Sequence, residues 1–158
     1  MSSEIPFNRP AVTGHEFAYL EDAIRRGHIS GDGVYTLKCQ RLLQQALGVP
    51  SAFLTTSCTH ALELAALLLD IQPGDEVIVP SFTFVSSVNA FVLRGARPVF
   101  IDSRPDTLNL DERQLEALIT SRTRAIMVMH YAGVACEMDA VMDIAARRGL
   151  PVVEDNAH

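Results

Sequence analysis

The sequence predicts an α/β fold built on a mostly parallel sheet with helices packed on its faces. Three observations lead there. Short apolar runs rich in valine and isoleucine, "EVIVP" (76–80), "RPVFID" (97–102), "RAIMVMH" (124–130) and "PVVED" (151–155), recur along the chain. Segments of helical periodicity separate them. The runs are nearly continuous in apolar character rather than alternating, which is how strands covered on both faces by crossover helices read.

The elements follow in order. Residues 14–26, "GHEFAYLEDAIRR", set Phe17, Leu20 and Ile24 on one helical face, with Gly27 as the stop. "HISGDGVYT" then places Gly31 and Gly33 around Asp32, a turn, before "YTLKCQRLLQQALG" resumes a helix that ends at Gly48 and Pro50. Residues 1–50 therefore read as an N-terminal helical arm and 51–158 as the α/β body. The body is expected to hold five strands, the first being "AFLTT" (52–56). Its helices fall near 59–70, 85–94, 111–120 and 137–148. The third of these opens on "DERQ", where Asp111 can cap and Gln114 reach back as in a capping box.

Composition excludes several functions. The chain has 158 residues, 48% hydrophobic and 20% charged, enough for one sizeable core. Nineteen acidic against 13 basic residues give a net charge of -6, and the basic ones are scattered, which argues against nucleic acid as a partner. Cys39, Cys58 and Cys136 are odd in number and far apart, so neither a disulfide framework nor a metal site is expected, and a reducing, cytoplasmic setting fits. "MSSEIPFNRP" lacks the basic start and apolar core of a signal peptide. No apolar run approaches the ~20 residues that span a bilayer, so no membrane partner is expected.

Ligands of open α/β sheets bind outside the carboxyl ends of the strands, so the residues there are the candidates. "TTSCTH" surrounds a helix start with hydroxyls, suited either to a simple N-cap or to a phosphate cradle. In "PSFTFVSS", Phe82 and Phe84 suit the core or a stack on a flat heterocycle. His130 and Tyr131 precede Gly133; a histidine there is structural or catalytic. Asp155 either caps a following helix or pairs with a protonated ring nitrogen. No G-x-G-x-x-G follows the first expected strand, which disfavours a dinucleotide-binding oxidoreductase.

Taken together, "IPFNRP", "GDGVYTLKCQ", the long run from "TTSCTHALEL" to "ARPVFID", "RPDTLNLDE", "HYAGVACEMD" and "VVEDNAH" resemble a known family. It is the DegT/DnrJ/StrS group of fold type I enzymes, which use pyridoxal 5'-phosphate (PLP) to aminate nucleotide-linked sugars. The resemblance implies the N-terminal part of the large PLP-binding domain, an αβα arrangement, with the small C-terminal domain outside this chain. It implies that Cys58 and Thr59 hold the cofactor phosphate, Phe84 stacks on the pyridine ring, Asp155 pairs with the pyridinium and His158 lies beside the phenolic oxygen. Ser30, Gly31 and Asp32 match a loop near the sugar-nucleotide site. The implied partners are glutamate, a dTDP-4-keto-6-deoxy-hexose and a second copy of the chain as a homodimer. Asn156 stands where the family usually has alanine, and His158 where close relatives have glutamine.

The family reaction needs a lysine that anchors the cofactor and moves protons. Lys38 is the only lysine, among twelve arginines, and it matches a helix-surface position instead. The expectation is that no catalytic residue of the reaction lies in this chain, which alone does not transaminate. Two alternatives follow: a non-catalytic protein that binds PLP or nucleotide sugar or docks on a full-length subunit, and a PLP-dependent sugar dehydratase of the same superfamily.

Overall fold

The computed structural model describes residues 9–158; the first residues of the "IPFNRP" segment, 5–8, lie outside the described residues. Two compact units divide between Leu54 and Thr55.

The first unit contains helices α1 (Glu16–Arg25) and α2 (Val34–Leu47). The Glu16 carboxylate folds back at the start of α1 and accepts from Thr13 N at 2.7 Å, Thr13 Oγ1 at 2.9 Å and Gly14 N at 2.9 Å. These donors, the Thr13 backbone first, hold its carboxyl down at about 2. Arg25–Glu21 and Arg26–Asp22 pairs brace the solvent face of α1, and Tyr35 of α2 donates its hydroxyl to Asp22 at 2.9 Å. Asp32 takes a left-handed φ of 60° between its two glycines, in keeping with the expected turn. Gly48 ends α2 at φ 65°, a conformation that a side chain disfavours.

The second unit is a four-stranded, wholly parallel sheet. In chain order its elements are α3 (Cys58–Leu68), β1 (Glu76–Pro80), α4 (Val85–Val92), β2 (Arg97–Ile101), α5 (Leu115–Leu118), β3 (Thr123–Met129), α6 (Met138–Arg148) and β4 (Val152–Asp155). The strands lie in the order β2-β1-β3-β4. Each strand sends alternate side chains to opposite faces, and both faces are covered. Val77, Val79, Ala125 and Met127 meet Leu62 and Ala66 of α3 and Ala90 and Phe91 of α4. Ile78, Ile101, Ile126 and Val128 meet Leu115 of α5 and Val141, Ile144 and Ala145 of α6. That double covering is why β1 and β3 read as unbroken apolar runs.

Three expectations are corrected. Residues 52–56 form no strand. Phe53 and Leu54 are exposed, and no ladder bond to this run occurs among the described residues; an apolar run becomes a strand only where a neighbour pairs with its backbone. The helix expected at 111–120 shrinks to a 3-10 turn, Glu112–Gln114, and one turn of α5. The helix ends there because Ile119 is extended and the Thr120 N–H turns to Thr123 Oγ1 at 2.9 Å. Asp111 does cap, accepting from Arg113 N at 3.2 Å. Gln114, however, donates its side-chain amide to the Asp111 carboxylate at 3.0 Å rather than reaching back to its backbone.

Candidate functional site

From β1 the chain steps outward to β2, then crosses back to β3 and continues to β4 on the other side. The crevice where this direction reverses lies at the carboxyl ends of β1 and β3, the place where open α/β sheets bind ligands. A pocket of about 250 Å³ sits there, lined by Phe82, Thr83, Phe84, Met129, Tyr131 and His158. Phe82 and Tyr131 pack with ring centroids 4.8 Å apart, and His158 meets Tyr131 edge-on at 5.5 Å. Phe84 precedes α4 and is 70% exposed, so its ring is open to a flat partner and not part of the core.

Asp155, the last residue of β4, is 3% exposed. Its Oδ2 accepts from Ser87 Oγ at 2.7 Å, and its Oδ1 from Ala157 N at 3.0 Å and Cys58 Sγ at 3.5 Å. All three partners are neutral. A buried carboxylate without a cation is costly, because hydrogen bonds compensate only part of the lost hydration. Burial, and then the nearby Asp155 charge, push the Cys58 thiol above its ordinary value.

At the start of α3, "TTSCTH" forms an N-cap. Ser57 is the N-cap and accepts from His60 N at 3.1 Å. Thr55 Oγ1 donates to Ser57 O at 2.8 Å, and Thr56 Oγ1 meets His60 Nδ1. The N–H groups of Cys58 and Thr59, in the first turn, have no intrahelical acceptor. They point with the positive end of the helix dipole, as an anion requires.

The turn after β3 is held from several sides. His130 accepts from Cys136 N on Nδ1 at 3.0 Å, which puts its proton on Nε2, donated to Glu154 Oε2 at 2.9 Å. This histidine is therefore tied into the frame. Buried Asn109 accepts from Tyr131 N and donates to Val134 O, each at 2.9 Å. Ala132 N donates to His158 Nδ1 at 2.9 Å, with Ala132 at a left-handed φ of 51°. Tyr131 is thus fixed against His158 by neighbours on both sides of its turn.

Of the residues singled out from sequence, Cys58 and Asp155 touch, Thr59 follows Cys58, and Phe84 and His158 share one pocket. Ser30, Gly31 and Asp32 belong to the first unit. There His28 Nε2 lies 2.9 Å from Gly31 O and 3.4 Å from Ser30 Oγ, and Ser30 lines a cavity of about 470 Å³ between α1 and α2. Lys38 rests over the Tyr35 ring, 4.9 Å from its centroid. Ser87, Thr83, Tyr131 and Asn109 carried no assignment from sequence. Their roles come from contacts between segments far apart in the chain, which periodicity does not report.

The fold and its crevice define the class: a fold type I, PLP-dependent transferase architecture. The chain belongs to the DegT/DnrJ/EryC1/StrS aminotransferase family, whose profile matches residues 10–158. It is 40% identical, over its whole length, to the UDP-4-amino-4-deoxy-L-arabinose--oxoglutarate aminotransferase of Shewanella sediminis, of which it spans 41%. It resembles the crystal structure of 3-amino-5-hydroxybenzoic acid synthase with a TM-score of 0.88 and 39% identity, covering 98% of this chain and 40% of that one. It also resembles the PLP form of the putative sugar aminotransferase Spr1654 from Streptococcus pneumoniae, with a TM-score of 0.87, 32% identity and coverage of 98% and 43%. The chain thus spans about two-fifths of the length of these relatives. No helix among the described residues is long and apolar enough to cross a membrane.

Proposed function

We propose that this chain supplies the phosphate, ring and pyridinium contacts of a PLP-dependent aminotransferase. The reaction assigned to the whole protein moves an amino group from glutamate to a dTDP-4-keto-6-deoxy-hexose, giving dTDP-4-amino-4,6-dideoxygalactose for enterobacterial common antigen. The observation that carries the cofactor reading is Asp155, a buried carboxylate with three neutral partners beside an aromatic-lined pocket at the topological switch point. A pyridinium supplies the missing cation. The donor set elsewhere in the crevice fits the rest of the group. Cys58 and Thr59 hold the phosphate with their free N–H groups, Phe84 covers one ring face, and His158 stands beside the phenolic oxygen.

Bound PLP withdraws electrons from the substrate carbon that loses or gains a proton. The chain's own contributions are to bind and to orient. Asp155 keeps the ring nitrogen protonated, the α3 N-terminus fixes the phosphate end, and the aromatic wall excludes water from one face. Lys38, the only lysine, lies on helix α2 and does not match the family's cofactor-anchoring lysine. We therefore expect this 158-residue chain to bind the cofactor without transaminating. The domain reading follows the same line: an N-terminal arm over 1–50, with Ser30, Gly31 and Asp32 near the sugar nucleotide, and a PLP-binding body over 51–158, working as a cytoplasmic homodimer.

A uridine-linked acceptor is the second reading, favoured by the 40% identity to the arabinose aminotransferase. Reading the coding DNA past the His158 codon and assaying its whole product tests both. A downstream lysine and glutamate-dependent amination of the dTDP-linked keto sugar is the expected result. Preference for the UDP-linked sugar selects the second reading. A histidine in place of the lysine, with loss of water and no gain of amine, points to the dehydratase and contradicts both.

A further inference from the structure

Ser87 is fully buried in the first turn of α4, 68 positions before the carboxylate it serves. Thr83 Oγ1, on the rim of the pocket, donates to Ser87 Oγ at 2.9 Å, and Ser87 Oγ donates to Asp155 Oδ2 at 2.7 Å. The hydroxyl of Ser87 thus has its acceptor side satisfied by Thr83, which leaves its proton only one destination. An ionised carboxylate offers about four acceptor sites. Oδ1 receives Cys58 and Ala157, and Oδ2 receives Ser87 alone. One acceptor site remains, on Oδ2.

We propose that Ser87, backed by Thr83, is a positioning residue that sets the rotation of the Asp155 carboxylate so that the remaining Oδ2 site faces the ring nitrogen of the cofactor. The inference rests on the PLP reading above and adds what aims its carboxylate. Without the Ser87 donor, Oδ2 has no fixed partner and the carboxylate turns about its last side-chain bond. A pyridinium then meets a spread of orientations, and the preference for a protonated ring nitrogen falls. Binding of the phosphate and of the ring face, which the relay does not touch, is unaffected.

The test compares two probes by equilibrium dialysis against the 158-residue chain: PLP, and its 1-deaza analogue, in which a C–H replaces the ring nitrogen. The wild type is expected to prefer PLP. Ser87→Ala should lower that preference about tenfold, the loss of one hydrogen bond to a charged group, with affinity for the deaza analogue unchanged. Thr83→Val, which removes the backing hydroxyl without touching Asp155, should lower it about threefold. Ser87→Thr keeps the hydroxyl and should restore the preference. A Ser87→Ala chain that retains the wild-type preference overturns the inference while leaving the PLP reading in place. A wild type that binds both probes equally removes the pyridinium contact and this inference with it. If Ser87→Ala loses both probes through misfolding, the Thr83→Val ratio decides, and an unchanged ratio overturns the inference.

Discussion

Cys58 reports on Asp155 without any ligand. Its thiol is pushed up by burial and then by the carboxylate charge, so less of it is thiolate near neutrality than of an ordinary cysteine. Asp155→Asn removes the charge and leaves the burial. Alkylation of Cys58 by iodoacetamide at pH 8 should therefore become faster in the variant, measured by peptide mass spectrometry against Cys39, exposed like Cys58, as internal control. An equal or slower rate contradicts the assigned contact. At this level the sequence was informative about residue types and poor on their pairing. Asp155 stood out because a carboxylate closing an apolar run is unusual. Ser87 did not, because one serine among several in "SFTFVSS" becomes distinct only when folding brings β4 beside α4.

The elements were most legible where both faces are buried. β1 begins where expected and β3 one residue earlier, because covering by α3 and α4 on one side and α5 and α6 on the other demands continuous apolar residues. The run at 52–56 is also apolar at Ala52, Phe53 and Leu54 but has no pairing neighbour among the described residues, and the shortened α5 owes its end to side-chain bonds at Thr120 and Thr123. Those bonds belong to a cluster at the amino ends of the strands. Buried Glu76 accepts from Thr120 Oγ1 at 2.6 Å and from Arg122 at 2.7 Å, while its own N–H donates to Arg122 O at 2.9 Å. The Thr120 hydroxyl first, and Arg122 second, hold the Glu76 carboxyl below the usual glutamate range. A depressed folded value means the stabilisation is present above the unfolded value, roughly 4.3, and is lost as pH falls through the folded one. Glu76→Gln should therefore unfold at lower urea concentration than the wild type at pH 7, and the gap should narrow progressively as the pH is lowered below about 4. A gap that persists or widens in acid contradicts the assignment.

For the molecule, the parallel order β2-β1-β3-β4 matters more than any single contact. It opens one crevice at the carboxyl ends of the strands, and the reversal in strand order puts the pocket walls and Asp155 on segments from three parts of the chain. The same order leaves β2 and β4 as edges, with Phe100 exposed on the first, surface suited to a further partner. The architecture was readable from the rhythm of runs and helices. The crevice itself was not, since it depends on which strands become neighbours. The proposed role of this crevice is to hold PLP through the Asp155 charge. Equilibrium dialysis of PLP against the wild type and Asp155→Asn tests it most directly. Saturable binding by the wild type is expected, with affinity at least tenfold weaker in the variant, about the loss expected for a charge-assisted contact. Equal affinity in the two proteins, or no saturable binding by the wild type, contradicts it.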